Sequence, residues 1–297
     1  MAQVIVHHYD SFTKQAHMGN PAGVIVADCH LSPNQMIAVA KTVGFNECAF
    51  VLPSETADLR LRYFTPGHEI DLCGHGTVAA LTALADVGRW PSNYTDITVE
   101  TNVGVLPMRI ERGSGQISIT MGQSPPQFIV FTGDPLEIAS AIGLTVDDIV
   151  PDMPIVYGNT GIWTLLVPIK TLEAFQRMVP NNAQFPHILA QCPESSIHLF
   201  TLETVHDESS MHGRHFSSPR SGTIEDPVTG TSSGVMGAYY AKYIDRTHAP
   251  NLHLIVEQGQ EIGRDGRVDV YVDRSQQQVK VTIRGTAVKV AEMTVDL

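Results

Sequence analysis

One pattern is written twice in this chain, and a duplicated pattern dictates a duplicated architecture. Arg62-Tyr63-Phe64-Thr65-Pro66 runs into Cys73-Gly74-His75-Gly76-Thr77 and an apolar, helix-like stretch. Arg214-His215-Phe216-Ser217 runs into Thr229-Gly230-Thr231-Ser232-Ser233 and a second such stretch. The interval from the Arg to the central Gly is 12 residues in the first copy and 16 in the second. Each copy ends a strand and opens a helix through a Gly-rich turn. Two such halves predict a pseudo-two-fold protein with its site between them.

Size and charge narrow the field. A chain of 297 residues, 43% of them hydrophobic, can bury a substantial core in two domains of roughly 150 residues each. A net charge of −12 argues against nucleic acid or an anionic membrane, both of which call for clustered Lys and Arg. The sequence has no run of 18 or more apolar residues. Met1-Ala2-Gln3-Val4-Ile5-Val6-His7-His8 reads as a strand rather than a secretion signal, so a cytoplasmic setting is expected. Cys29, Cys48, Cys73 and Cys192 are scattered, which suits reduced thiols better than a disulfide framework.

Short β-branched or alternating runs predict strands over Val4–Tyr9, Ala22–Ala27, Cys48–Leu52 and Leu59–Phe64. A helix with Ser32 as N-cap, Pro33 at its first position and Gly44 as its stop lies between the second and third. A second helix is expected over Thr77–Val87, then antiparallel strands over Ile97–Met121, broken at Asn102-Val103-Gly104 and Arg112-Gly113-Ser114-Gly115. Past Ser124-Pro125-Pro126 the order repeats. A strand (Ile162–Ile169), a short helix (Leu172–Met178), a strand (Ile197–Leu202) and a helix (Ser233–Ile244) follow, then a tail of four strands: Leu252–Val256, Val268–Val272, Val279–Ile283 and Ala287–Val295. Strands predominate with one long helix per half, so the class is α+β, and the Ser-Pro-Pro run marks the boundary.

Several residues could carry chemistry. On a strand, Phe45, Glu47, Ala49 and Val51 share one face, and a carboxylate in apolar phase is desolvated in the way a general acid or base requires. The competing reading has Glu47 capping the strand start and pointing to water. His75, flanked by Gly74 and Gly76, stands at a helix start, where backbone N–H groups attract anions. Gly230-Thr231 repeats that arrangement, so two helix N-termini could hold a carboxylate without any Arg. Asp226, four residues before Gly230, could orient a partner or simply make an Asp-Pro turn.

Three further patterns carry less. His68, Cys73 and His75 form H-x4-C-x-H, which matches no common zinc spacing and offers no fourth ligand. His206, Asp207, Glu208, His212 and His215 read as a solvated loop. Gly230-Thr231-Ser232-Ser233-Gly234 matches the G-x-S-x-G nucleophile elbow, yet Glu225-Asp226-Pro227 before it makes a poor central strand.

Taken in order, Gly19-Asn20-Pro21-Ala22-Gly23-Val24, Asn46-Glu47-Cys48-Ala49-Phe50, Arg62-Tyr63-Phe64-Thr65-Pro66, Asp71-Leu72-Cys73-Gly74-His75-Gly76-Thr77 and Glu225-Asp226-Pro227-Val228-Thr229-Gly230 resemble the PhzF family of isomerases over essentially the whole chain. The resemblance implies the diaminopimelate-epimerase fold: two domains, 1–123 and 124–286, each a curved, mostly antiparallel sheet wrapped around a long helix. The terminal strand at about 287–297 would return to the first half. It further implies a homodimer acting on a small anionic metabolite, without cofactor or metal. Glu47 would be the catalytic acid/base, assisted by His75 and Asp226, with Asn20, Gly74, Gly76, Gly230 and Thr231 binding substrate. The chain departs from the phenazine enzyme at Thr231, where that enzyme has Ser. Over Ser217–Gly222 it looks more like the family's uncharacterised members.

The duplication also bears on mechanism. Racemases of the diaminopimelate-epimerase type use one thiol from each half. Aligning Gly74 with Gly230 puts Thr229 opposite Cys73, and a Thr hydroxyl is too weak an acid. A single-base isomerase built on Glu47 is the leading expectation. A serine hydrolase using Ser232, or a non-catalytic small-acid binding protein, are the alternatives.

Overall fold

Strand pairing in this chain follows the repeat seen in the sequence. The computed structural model describes residues 3–26, 31–90, 94–113, 115–221 and 223–297, so Cys29, Ser114, Gly222 and the ends of two expected strands, Met1-Ala2 and Ala27, lie outside the described residues. The chain divides into one unit of Met1–Gly122 with Arg284–Leu297, and a second of Gln123–Ile283. The first runs β1 (Gln3–Ser11), β2 (Asn20–Ile25), α1 (Pro33–Val43), β3 (Glu47–Leu52), β4 (Leu59–Phe64), β5 (Glu69–Ile70), α2 (Gly74–Asp86), β6 (Tyr94–Thr101), β7 (Gly104–Gly113) and β8 (Gln116–Gly122). The second runs β9 (Gln127–Val130), α3 (Pro135–Ala141), β10 (Val156–Asn159), β11 (Trp163–Pro168), α4 (Leu172–Arg177), α5 (Phe185–Ile188), β12 (Ser196–Thr201), β13 (Met211–Phe216), β14 (Glu225–Asp226), α6 (Gly230–Tyr239), β15 (Asn251–Gln258) and β16 (Gly266–Asp273). A last strand, β17 (Lys280–Asp296), serves both.

In the first unit β1 pairs antiparallel with β2, β2 parallel with β3, and β3 antiparallel with β4. Next, β4 pairs parallel with β6, followed by the antiparallel pairs β6–β7 and β7–β8. Strand β17 pairs with both β8 and β1, closing the ring into a barrel. The second unit repeats the senses one for one: β10–β11 antiparallel, β11–β12 parallel, β12–β13 antiparallel, β13–β15 parallel and β15–β16 antiparallel. The short strands β5 and β14 hang antiparallel from β4 and β13 in the same way. The fold therefore mixes α and β, with both parallel and antiparallel pairings in each unit.

One helix per unit is buried on every side. Each residue of α2 from Gly74 to Ala85 is buried, and so are all ten residues of α6. A helix of small and apolar residues all round has no polar face to give to water, so it sits where strands surround it. In the first unit α2 packs on β1, β2, β3 and β8; in the second α6 packs on β10 and β16. Gly237 shows how close that packing is, since a Cβ there would meet Val270 Cγ1 at 2.5 Å. The outer face of the first barrel is covered by α1, whose Met36, Val39 and Ala40 pack with Val4, Val6, Ile25, Cys48, Phe50 and Phe64. Among the described residues no helix is long and apolar enough to cross a membrane.

Several boundaries differ from expectation. Both central helices start three residues earlier than their apolar periodicity implies, at Gly74 and Gly230 rather than Thr77 and Ser233. The wide turn Tyr240–Ile244 extends α6 as a π-helical turn. The expected strands Val279–Ile283 and Ala287–Val295 merge, from Lys280 on, into a single 17-residue strand. Glu225-Asp226 is a short paired strand, and the expected solvated loop is half wrong: His212 and His215 are buried in β13.

Candidate active site

Glu47 opens β3 opposite Ala22 of β2. Side chains alternate along a strand, so Glu47, Ala49 and Val51 share a face. Cys48 and Phe50 lie on the other, in the cluster under α1. The Glu47 side chain is 19% exposed, and its Oε2 lies 3.2 Å from His75 Nε2. That oxygen is shielded from solvent and has no aligned hydrogen bond, so the contact with His75 is one of charge and proximity. Of the two sequence readings, the carboxylate turned toward the fold is the one the structure shows.

His75 is the second residue of α2 and is buried. Its backbone carbonyl accepts from Ser11 Oγ at 2.8 Å. Asn20, buried at the start of β2, lies in register with Ser11, which links the Gly-Asn-Pro segment to the helix start. The N-cap of α2 is Cys73, whose Sγ accepts from Gly76 N at 3.3 Å while its carbonyl accepts from Thr77 Oγ1 at 2.7 Å. A Cβ on Gly76 would stand 3.0 Å from that sulfur, so the second Gly of the Gly-His-Gly turn makes room for the thiol. Cys73 Sγ lies 3.5 Å from His75 Nδ1 and 3.8 Å from Nε2.

Charge follows from this geometry. Burial pushes the Cys73 thiol up, partly offset by the neighbouring His75. Burial works against a charged His75, but Cys73 and Glu47 beside it outweigh that cost and hold its pKa well above 6.5. A cationic imidazole therefore sits against the Glu47 carboxyl at the positive end of a buried helix. The first N–H groups of any helix lack an intrahelical acceptor, and those of Gly74 and His75 fall here. The arrangement can hold a carboxylate by its oxygens and move a proton beside it.

The second unit carries the corresponding place with different chemistry. Asp226 on β14 is in register with His215 of β13, as Ile70 is with Tyr63 in the first unit. Its Oδ2 accepts from Thr229 Oγ1 at 2.5 Å, and its carbonyl accepts from Gln258 Nε2 at 2.7 Å. Thr229 is the N-cap of α6, so Gly230 and Thr231 supply that helix's first N–H groups. Ser232 Oγ lies 3.1 Å from His215 Nδ1, which is 3.3 Å from His198 Nδ1. Burial pushes both imidazoles below 6.5, so both are neutral donors or acceptors. The structure groups Glu47, Cys73, Gly74, His75, Gly76 and Asn20 in the first unit, and Asp226, Gly230 and Thr231 in the second.

The sequence missed His198 and His215. The signal was available, because Arg214-His215-Phe216 copies Arg62-Tyr63-Phe64 and must therefore be a strand. Both arginines make bidentate pairs, Arg62 with Glu69 and Arg214 with Glu225, and both lie over the ring of the next Phe but one, Phe64 and Phe216. The G-x-S-x-G match is not an elbow: Ser232 is the third residue of α6, and the non-glycine residues of positive φ among the described residues are Phe12, His17 and His248. His68 is exposed and bonded to Thr65, so it takes no part in a cluster with Cys73 and His75. Glu47 takes that third place, and one donor atom each of Glu47, Cys73 and His75 lie within 4.8 Å of one another.

Each unit buries one helix among its strands, and the helix of the first carries an acid–imidazole pair at its start. The chain belongs to the PhzC-PhzF family, described as phenazine biosynthesis-like protein, which matches residues 9–293. It is 50% identical over 288 residues to the uncharacterised isomerase YfhB of Bacillus subtilis (strain 168), covering 97% of each chain. The crystal structure of the Bacillus anthracis phenazine biosynthesis protein of the PhzF family is also 50% identical, with a TM-score of 0.96 and complete coverage of both chains. The trans-2,3-dihydro-3-hydroxyanthranilate isomerase of Pseudomonas aeruginosa is 27% identical over 295 residues, covering 97% of this chain and 98% of its own. The chain is accordingly an enzyme of the isomerase class.

Proposed function

We propose that the chain is a cofactor-independent isomerase that moves a proton on a small carboxylate-bearing metabolite, with Glu47 as the single acid/base. The observation that carries this reading is the 3.2 Å approach of Glu47 Oε2 to a cationic, buried His75 at the start of α2. His75 assists by stabilising charge that develops on the substrate, and the N–H groups of Gly74 and His75 receive its carboxylate. Asn20 holds that turn through the Ser11 strand. Asp226, Gly230 and Thr231 belong to the same reaction in this proposal. Positioned acid/base help of this kind contributes about 10²–10⁴-fold, the rest coming from orientation and charge stabilisation. The related hydroxyanthranilate isomerase suggests a conjugated or activated carbon skeleton as the substrate class. A diaminopimelate-epimerase-like arrangement, a homodimer and a cytoplasmic setting complete the proposal.

The test is solvent-deuterium uptake, followed by mass spectrometry across a metabolite extract and repeated on variants with the substrate it reveals. Glu47→Gln is expected to abolish uptake while leaving the unfolding midpoint in place, and Asp226→Asn to weaken turnover. Cys73→Ser is expected to cost far less than Glu47→Gln. A dead Cys73→Ser beside an active Glu47→Gln would replace the carboxylate by a thiol mechanism. Thr229 at the place matching Cys73 speaks against that outcome.

A further inference from the structure

The first unit holds a cavity of about 660 Å³ at the other end of α2 from Glu47 and His75. Thr82 and Asp86, one turn apart near the helix end, form one wall. The turn between β7 and β8, the middle of β17 and Lys14 form the rest. Asp86 lies eleven residues along α2 from His75, about 16 Å at 1.5 Å per residue. The cavity is therefore separate from the acid–imidazole pair.

Its charge runs against that of the chain. Lys14, Arg112 and Lys289 line it against the single carboxylate of Asp86, in a sequence with 19 Lys and Arg to 31 Asp and Glu. Lys289 pairs with Glu292 at 2.5 Å, while Lys14 is exposed and pairs with none of the described carboxylates. Arg112 is fixed in the wall: Nη2 donates to the carbonyls of Ala85 and Trp90, and Nε to Trp90. Those bonds cover the negative end of α2, which would otherwise repel an anion. Nη1 bonds none of the described residues.

Neutral groups suit the same ligand. A Cβ on Gly113 or Gly115 would meet nothing within 4 Å, so a ligand can approach the backbone of that turn closely. Thr82 is 2% exposed and its Oγ1 has no hydrogen-bond partner, whereas Thr77 on the same helix gives its hydroxyl to the Cys73 carbonyl. Buried hydroxyls are as a rule paired, and a ligand oxygen or its accompanying water would pair this one. Asp86 Oδ2 is held by Tyr9 Oη at 2.8 Å, which leaves the other oxygen for a hydroxyl on the ligand.

We propose that this cavity binds a small phosphate monoester. Lys14, Arg112 and Lys289 hold the phosphate, and Asp86 accepts from a hydroxyl of the organic part. Such a site stands apart from the proton-transfer reading, so either can fail alone.

Glycerol 3-phosphate is the probe, added to the isotope-labelled full chain while backbone amide resonances are followed by NMR. The amides of Gly113, Gly115 and Gln116 are expected to shift and saturate with glycerol 3-phosphate and to stay in place with glycerol. The double variant Lys14→Gln/Lys289→Gln removes two exposed lysines and should weaken binding by about tenfold or more. Lys41→Gln removes an exposed lysine of α1, outside the cavity, and should leave the affinity unchanged. An otherwise unaltered spectrum of each variant shows that the fold is kept. Shifts confined to Gly74 and His75, shifts that rise without saturating, an affinity indifferent to the double variant, or an equal loss in Lys41→Gln would overturn the proposal.

Discussion

His212 donates or accepts through both ring nitrogens, to Glu257 from Nδ1 and to Glu261 from Nε2, each at 2.9 Å. Burial alone would lower its pKa, but the two carboxylates prevail and raise it above 6.5. Burial would raise Glu257, but His212 and the backbone N–H of Val205 hold it below 4.5. A raised His stabilises the fold fully below its unfolded value and loses that contribution as pH rises through the folded one. A lowered Glu does so above its unfolded value and loses it on acidification. The two contributions therefore overlap between pH 4.5 and 6.5. The difference in urea unfolding free energy between wild type and His212→Gln should peak in that window and shrink toward pH 9. A difference that grows with alkali would contradict the assignment. None of this was legible in the sequence, where His212 looked like part of a wet loop, because local polarity does not reveal a partner some 45 positions downstream. Glu47 was half legible for the same reason. Strand alternation gave its face, but the imidazole opposite it comes from another element.

Where the signals are local, elements could be read almost to the residue. Helix α1 has Ser32 as N-cap with a capping box to Gln35, Pro33 in its first turn, and Gly44 as C-cap at φ 75°. Ser32→Ala should cost about 1 kcal/mol in denaturant unfolding. Gly44→Ala should cost about 1–2 kcal/mol from left-handed backbone alone, since a Cβ there meets nothing within 4 Å. Equal stability of either variant and the wild type would mean that α1 is held by packing without help from its caps. The starts of α2 and α6 were misread because Cys73 caps with sulfur and Thr229 gives its hydroxyl to Asp226 instead. The tail was split in two because Gly285 looks like a strand break. In the structure a Cβ at Gly285 would stand 2.4 Å from Phe12 Cδ1, so the glycine admits an aromatic ring and the strand runs on.

At the scale of the whole molecule, β17 joins the ends of the story. Its first residues belong to the second unit, while Ala287–Asp296 pair antiparallel with Ser11–Gln3 of β1. Stopping the chain after Ile283 should strip protection from the amides of β1 and β8, measured by hydrogen exchange, while β12 and β13 keep theirs. Retained protection in β1 would show that the ring does not depend on its last stave. The same connection sets an order in time. A ribosome delivers residues 123–283 before it delivers Arg284–Leu297, so the second unit has all its parts while the first still lacks a strand. The half of the protein made first is thus the half finished last, and until synthesis passes β17 its open edges at β1 and β8 are the surfaces most in need of shelter.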